Sequence, residues 1–188
     1  MSRIPVSLPD YLAPDLSILF VGINPGLRSS EVGHHYAGPS NRFWPLLFDA
    51  GLVPYRMIPQ DDGRLLDYGY GLTNLIAKPT AGVQDLTRQD FLQSRRGLVT
   101  KIETYQPALV AVLGISVARV LFPPVTSNAS GKRLAARPIQ MGLQPELLAG
   151  VRVFVLPNPS GRNAHYSYQD MKRVFCELKV VSTQSGKA

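Results

Sequence analysis

An α/β architecture, a three-layer α/β/α sandwich around a mostly parallel central sheet, is what the sequence predicts, and three observations predict it. Short apolar runs alternate with helix-patterned segments along the chain, the order that the crossovers of a parallel sheet require. The runs are apolar at consecutive positions, as in strands covered on both faces. With 188 residues and 45% hydrophobic content the chain can bury one substantial core but not two comfortable ones, so residues 1–188 are expected to form a single domain.

The elements follow in order. Residues 1–15 hold Pro5, Pro9 and Pro14 without periodicity and read as an irregular leader lying on the surface, apart from the core sheet. Residues 16–21 are apolar and stop at Gly22, as a buried strand entering a functional loop does. Residues 42–50 repeat apolar side chains at helical spacing, admit Pro45 in a first turn and close at Gly51, which predicts a helix with Trp44 and Phe48 in the core. A short strand is expected over residues 71–75. Thr87-Arg88-Gln89-Asp90 has the form of a capping box and opens a helix reaching about Tyr105, weakened at Gly97.

Residues 108–113 form a continuous apolar run ending at Gly114, and residues 115–122 read as the helix after it. Residues 123–138 are a loop by composition. Residues 138–141 and 151–156 are expected to be paired strands, the second running into a loop over residues 157–166. Ser167-Tyr168-Gln169-Asp170 caps a last helix in which Met171, Val174, Phe175 and Leu178 repeat at three and four. Residues 182–188 are expected to be a disordered tail. The two unusual loops, 22–36 and 157–166, both follow strands and should meet at the carboxyl edge of the sheet, where such folds bind ligands.

Composition narrows the function classes. The formal charge of +7 suits a polyanionic partner, with a merely basic surface as the alternative. Cys176 is the single cysteine, so no internal disulfide, iron–sulfur cluster or cysteine-rich zinc site can be assembled. Chemistry without metal or cofactor is the expectation. No apolar run approaches the roughly 18 residues of a spanning helix, and the first residues lack a signal layout. A soluble cytoplasmic monomer is expected, nucleoid-associated if bacterial, with no membrane partner.

In Gly22-Ile23-Asn24-Pro25-Gly26 a free-hinging Gly stands at each end of a rigid Pro and a neutral Asn, so the turn can expose backbone N–H groups and fix an amide at a pocket mouth. Alone it reads as a tight turn, and without a following Gly-Lys-Ser/Thr it is not a phosphate loop. The loop from Pro157 through Asn163 to Tyr166 adds a second rigid turn, then a cation and an aromatic, a shape able to enter a groove where a base has left the stack.

Together, Gly22-Ile23-Asn24-Pro25-Gly26-Leu27 with Asn41-Arg42-Phe43-Trp44, then Gly71-Leu72-Thr73-Asn74, then Leu156-Pro157-Asn158-Pro159-Ser160-Gly161 resemble the signature motifs of the mismatch-specific uracil-DNA glycosylase and thymine-DNA glycosylase family. The likeness runs from Ile18 to the last helix and implies a uracil-DNA glycosylase-like fold. It also implies a base-flipping hydrolase acting on double-stranded DNA with mismatched or damaged bases. By position, Asn24 would hold the water that attacks the sugar, Tyr36 would stack on the extruded base and Asn74 would hydrogen-bond it. Ile23 belongs with these substrate contacts, Ser29 lies at the pocket edge, and Asn158 would brace the region near the flipped nucleotide. Ser160, Gly161, Arg162 and Asn163 would form the DNA-entering wedge.

Some positions keep two readings. Asp85 either assists water activation or caps the following helix. Arg162 either fills the gap, stacks, or binds phosphate, whereas some members of the family carry an apolar residue there. His34 and His35 read as a surface pair in the pocket loop, and His165 as a surface residue or phosphate contact. Lys78 would support Schiff-base chemistry only if desolvated beside the sugar. Arg95-Arg96 and Lys132-Arg133 with Arg137 either touch phosphates or face solvent. Two other classes compete with the hydrolase: a non-catalytic damage-binding module on the same fold, and a hydrolase of small nucleotides.

Overall fold

The computed structural model describes residues 6–123 and 138–184. Among the described residues, five strands form one sheet in the order β2-β1-β3-β5-β4: β1 (Ile18–Gly22), β2 (Tyr70–Asn74), β3 (Leu109–Leu113), β4 (Gly142–Leu148) and β5 (Val151–Leu156). The first three and β5 run parallel, and only the edge strand β4 is antiparallel to its neighbour. The helices are α1 (Leu27–Val32), α2 (Phe43–Asp49), α3 (Arg88–Tyr105), α4 (Ile115–Leu121) and α5 (Tyr168–Thr183), with a 3-10 helix at Pro59–Tyr68.

Side chains alternate between the two faces of the sheet, and each face is buried. Ile18, Phe20, Ala111 and Phe154 pack toward α2 and α5, while Leu19, Val21, Val110 and Val153 pack toward α3 and α4. This is the physical reason for the unbroken apolar runs: a strand with no wet face has no polar positions. The capping boxes at Thr87/Asp90 and Ser167/Asp170 form as the sequence indicates, and their hydrogen bonds hold both Asp side chains below the usual carboxylate range.

Four expectations are corrected. The partner of β5 is Gly142–Leu148, later than the expected 138–141; it is a half-exposed edge strand whose register shifts between Leu143 and Leu147, the irregularity that admits Pro145. The last helix continues through Thr183, so Ser182 and Thr183 are helical where a tail was expected. Phe48 is 37% exposed, its ring lying under the Arg56 guanidinium, although Trp44 is buried as expected. The leader is not separate from the sheet: Tyr11 makes an antiparallel bridge to Leu72 of β2. Lys132, Arg133, Arg137 and most of the loop expected over 123–138 lie outside the described residues.

Candidate active site

A cleft of about 720 Å³ opens at the carboxyl ends of the parallel strands, where the order of a doubly wound sheet reverses between β1 and β3. Each parallel strand delivers cleft residues there: Gly22 to Asn24 after β1, Asn74 at the end of β2, Gly114 after β3 and Asn158 after β5. The two loops singled out by sequence therefore share one cavity. Its polar lining consists mainly of neutral amides and hydroxyls, with Arg28 and Arg162 as cations; among the described residues no Asp, Glu or Lys lines it. Nor do the described residues contain a group of three or more His, Cys, Asp or Glu able to hold a metal ion.

The Asn24 amide is oriented by three acceptors. Its Nδ2 donates to the Thr80 hydroxyl at 2.8 Å and to the carbonyls of Pro25 and Lys78, each at 3.1 Å. The Thr80 hydroxyl proton is already given to the Gly82 carbonyl at 2.8 Å, so toward Asn24 this oxygen can only accept. That assigns the amide: nitrogen toward Thr80, Oδ1 left as an acceptor with no donor among the described residues. Thr80 is itself fixed, being 7% exposed with its N–H bonded to the Pro25 carbonyl.

Across the cleft, Tyr36 stands at φ 54°, in the left-handed region that costs a non-glycine residue on the order of 1–3 kcal/mol. One face of its ring lies on Phe43, with centroids 4.1 Å apart and planes 32° from each other. Its hydroxyl is buried and without a hydrogen-bond partner among the described residues, and burial pushes its pKa up, so it stays protonated. A Cβ at Gly22 would sit 2.6 Å from Asn74 Oδ1 and 3.0 Å from Tyr36 Oη, so only glycine lets these two residues converge over β1. Ser29, 6% exposed, accepts the Ala37 N–H at 3.0 Å and so holds the same loop from behind. Ile23 is half-buried and its carbonyl accepts the Ile76 N–H at 2.8 Å.

The second loop is braced internally. Asn158 Oδ1 accepts the Ser160 N–H at 3.0 Å, Asn163 Nδ2 donates to the Asn158 carbonyl at 2.9 Å, and Ser160 Oγ accepts the Arg162 N–H at 3.3 Å. It also docks on the first loop: the Arg42 N–H donates to the Pro159 carbonyl at 2.9 Å, and Gly161 packs directly on Ser40. The exposed Arg162 reaches across the mouth and donates to the Ala81 carbonyl at 3.0 Å.

Asp85 is the candidate that the structure does not bring into the cleft lining. It is exposed, and its carboxylate accepts the Gly82 N–H at 3.1 Å, closing the turn whose carbonyl takes the Thr80 proton; Thr87, not Asp85, caps α3. Lys78 is exposed and offers only its carbonyl to Asn24. His35, expected at the surface, is 1% exposed, because the leader covers it and its Nε2–H donates to the Pro9 carbonyl at 2.9 Å; that burial lowers its pKa. His34 stays partly exposed and His165 is exposed at the cleft. Arg95 turns its Nε toward the Leu121 carbonyl, and Arg96 faces solvent. Neither Thr80 nor Asp62 stands out in the sequence, because their partners lie 56 and 27 residues away; the one signal for Thr80 is its place in the turn-rich stretch just after Asn74.

Comparison with known proteins bears on the family and the fold. The sequence model of the uracil DNA glycosylase superfamily matches residues 9–179. Among solved structures, the chain is similar to the solution NMR structure of a protein from Methanosarcina acetivorans that carries a provisional uracil DNA glycosylase assignment. The identity is 19% and the TM-score 0.55, with 93% of this chain and 98% of that one covered, a likeness of fold.

Proposed function

This chain belongs to the uracil DNA glycosylase superfamily, and on that premise we propose that it hydrolyses the N-glycosidic bond of uracil mispaired with guanine in double-stranded DNA. The base is flipped into the cleft and an abasic site remains; thymine and modified pyrimidines opposite guanine are further substrates. The carrying observation is the Asn24 amide, locked with its oxygen unpartnered among the described residues, in a cleft whose described lining holds no carboxylate and no lysine.

In this reading Asn24 Oδ1 accepts a hydrogen bond from the attacking water and sets it against the sugar carbon. It does not act as a strong base. Neutral positioning is adequate because the sugar becomes cation-like as the base departs, and the departing pyrimidine anion is the charge that needs stabilising. Asn74 supplies polar contacts to the base edge, and Tyr36, backed by Phe43, offers its other ring face for stacking. The enzyme is then monofunctional, a reading supported by Lys78, which is exposed and turns its carbonyl, not its amine, to Asn24. Ser160 to Asn163 enter the duplex, with Arg162 leaving the Ala81 carbonyl to fill the gap or meet the opposite base. Asp85 acts at a distance, by holding the turn that receives the Thr80 proton.

The protein acts as a monomeric single domain. The test is a panel of duplexes carrying G·U, A·U and G·T pairs and single-stranded uracil, incubated with excess protein and cleaved with alkali at abasic sites. Cleavage of the G·U duplex ahead of the A·U duplex and of the single strand is the expected result. Salt-dependent mismatch binding with no abasic product would instead identify a non-catalytic damage-binding module.

A further inference from the structure

The leader and a buried carboxylate converge on the turn that carries Tyr36. Asp62, in the 3-10 helix, is 2% exposed, and its oxygens face four donors: Oδ2 accepts the His35 N–H at 2.9 Å, and Oδ1 accepts the Tyr11 hydroxyl at 3.0 Å, the Gly63 N–H at 2.9 Å and His34 Nδ1–H at 3.3 Å. A buried carboxylate is tolerated only when its acceptor sites are filled in this way. The carbonyl of His35, in the next peptide group, is held by Trp44, whose Nε1–H donates to it at 3.2 Å, and the ring is held by the Pro9 carbonyl. These contacts fix His35 through both of its peptide groups, immediately before the left-handed Tyr36, a conformation that persists only where its surroundings impose it.

The same leader is anchored at the opposite wall. Tyr11 exchanges both backbone hydrogen bonds with Leu72, two residues before Asn74, and Asp10 accepts the Thr73 hydroxyl at 2.6 Å while pairing with Lys101 at 2.5 Å. Two glycines make room for it: a Cβ at Gly71 would lie 2.8 Å from the Tyr11 carbonyl, and one at Gly63 would lie 3.2 Å from the Tyr11 ring. Farther along, Leu8 lines the cleft itself.

We propose that Asp62, with Tyr11 and Pro9 of the leader, is a positioning device for the base pocket: it sets the Tyr36 ring against Asn74 and makes residues 8–11 a working wall of the site. The proposal rests on the glycosylase reading given above. Asp62 and Tyr11 touch no reacting atom; they act through the His35-Tyr36 turn.

The test is a double-mutant cycle between Tyr11→Phe and Tyr36→Ala, with Asp62→Asn as a second perturbation. Rates are read at saturating protein on a G·U duplex, and affinity is read on a duplex with a tetrahydrofuran abasic analogue, which offers no base to stack. Tyr11→Phe should slow base removal about fivefold and Asp62→Asn at least about tenfold, with affinity for the abasic analogue within about twofold of the parent. In the Tyr36→Ala background Tyr11→Phe should have no further effect. Additive losses in the cycle, or equal losses in rate and abasic affinity, would overturn the proposal. Amide exchange at His35 and Ala37 needs no substrate: Tyr11→Phe should accelerate it at least about tenfold while leaving the α5 amides unchanged. Unchanged exchange at these amides overturns the coupling even if the protein removes a different base, and a parent protein that removes no base overturns the glycosylase reading alone.

Discussion

Thr80→Val isolates the orientation of the Asn24 amide with almost no change of side-chain volume. Thr80 Oγ1 accepts the shortest of the three hydrogen bonds from Asn24 Nδ2, 2.8 Å against 3.1 Å for each of the two carbonyls. A valine methyl removes that acceptor, and it strips the Gly82 carbonyl of its donor. One net hydrogen bond is worth about 1 kcal/mol. If that energy is spent on holding Oδ1 toward the attacking water, the single-turnover rate falls about fivefold, and somewhat further if the amide turns over and presents its nitrogen. Stability falls by about 2 kcal/mol, because both hydrogen bonds of the hydroxyl are lost, or about 4–8 °C in thermal midpoint for a domain of this size. Thr80→Ser keeps the oxygen and should stay within about twofold of the parent rate. The assay is base release at saturating protein on a G·U duplex, with the folded fraction checked by circular dichroism. A Thr80→Val rate within about twofold of the parent would show that the amide is held without Thr80.

Two further predictions concern the loops. Gly161→Ala places a methyl group against the side chain of Ser40 and 2.7 Å from its backbone carbonyl, so the two loops must separate; base removal should fall at least about tenfold, and Ser40→Gly should restore only part of it because the carbonyl remains. Rates and mismatch affinity of the single and double variants check this, and full activity of Gly161→Ala would deny the close approach. Burial lowers the pKa of His35 below 6.5, so the unfolded chain takes up the proton first; stability is full above about pH 6.5 and is lost as the pH falls from there through the lower value of the folded ring. Thermal midpoints between about pH 8 and about pH 5.5 should therefore drop more for the parent than for His35→Gln, and equal drops would locate the sensitivity elsewhere.

The strands were legible because burial on both faces leaves a local mark: Ile18 to Val21, Leu109 to Leu113 and Val151 to Leu156 are apolar at nearly every position. The edge strand β4 was misplaced for the complementary reason, since Leu143 and Leu147 are exposed, Gly142 has φ 97°, and Pro145 sits at a register shift. The 3-10 helix Pro59–Tyr68 is mostly polar and buries only Asp62 and Leu65, too little apolar surface to mark it in the sequence. At the site, each loop announced itself through Asn, Pro and Gly at special positions. What orients the loops did not, because it depends on contacts between distant segments: Thr80 on Asn24, Asp62 on His35, and Pro9 on the imidazole. His35 looked like a surface residue because nothing in its own neighbourhood indicates that residues 9–11 cover it. Asp85 drew attention as a carboxylate near the motif, yet proximity in sequence left it outside the cleft lining, one turn removed from Asn24.

If Asn24 performs the hydrolysis by holding water, loss of its amide must stop base release, and a comparison of the parent with Asn24→Ala measures that loss. Base release from a G·U duplex is followed under single turnover at saturating protein, alongside affinity for the same duplex. The parent should yield abasic product while Asn24→Ala loses at least about two orders of magnitude in rate, with affinity near that of the parent. Full activity in Asn24→Ala would contradict this role of Asn24.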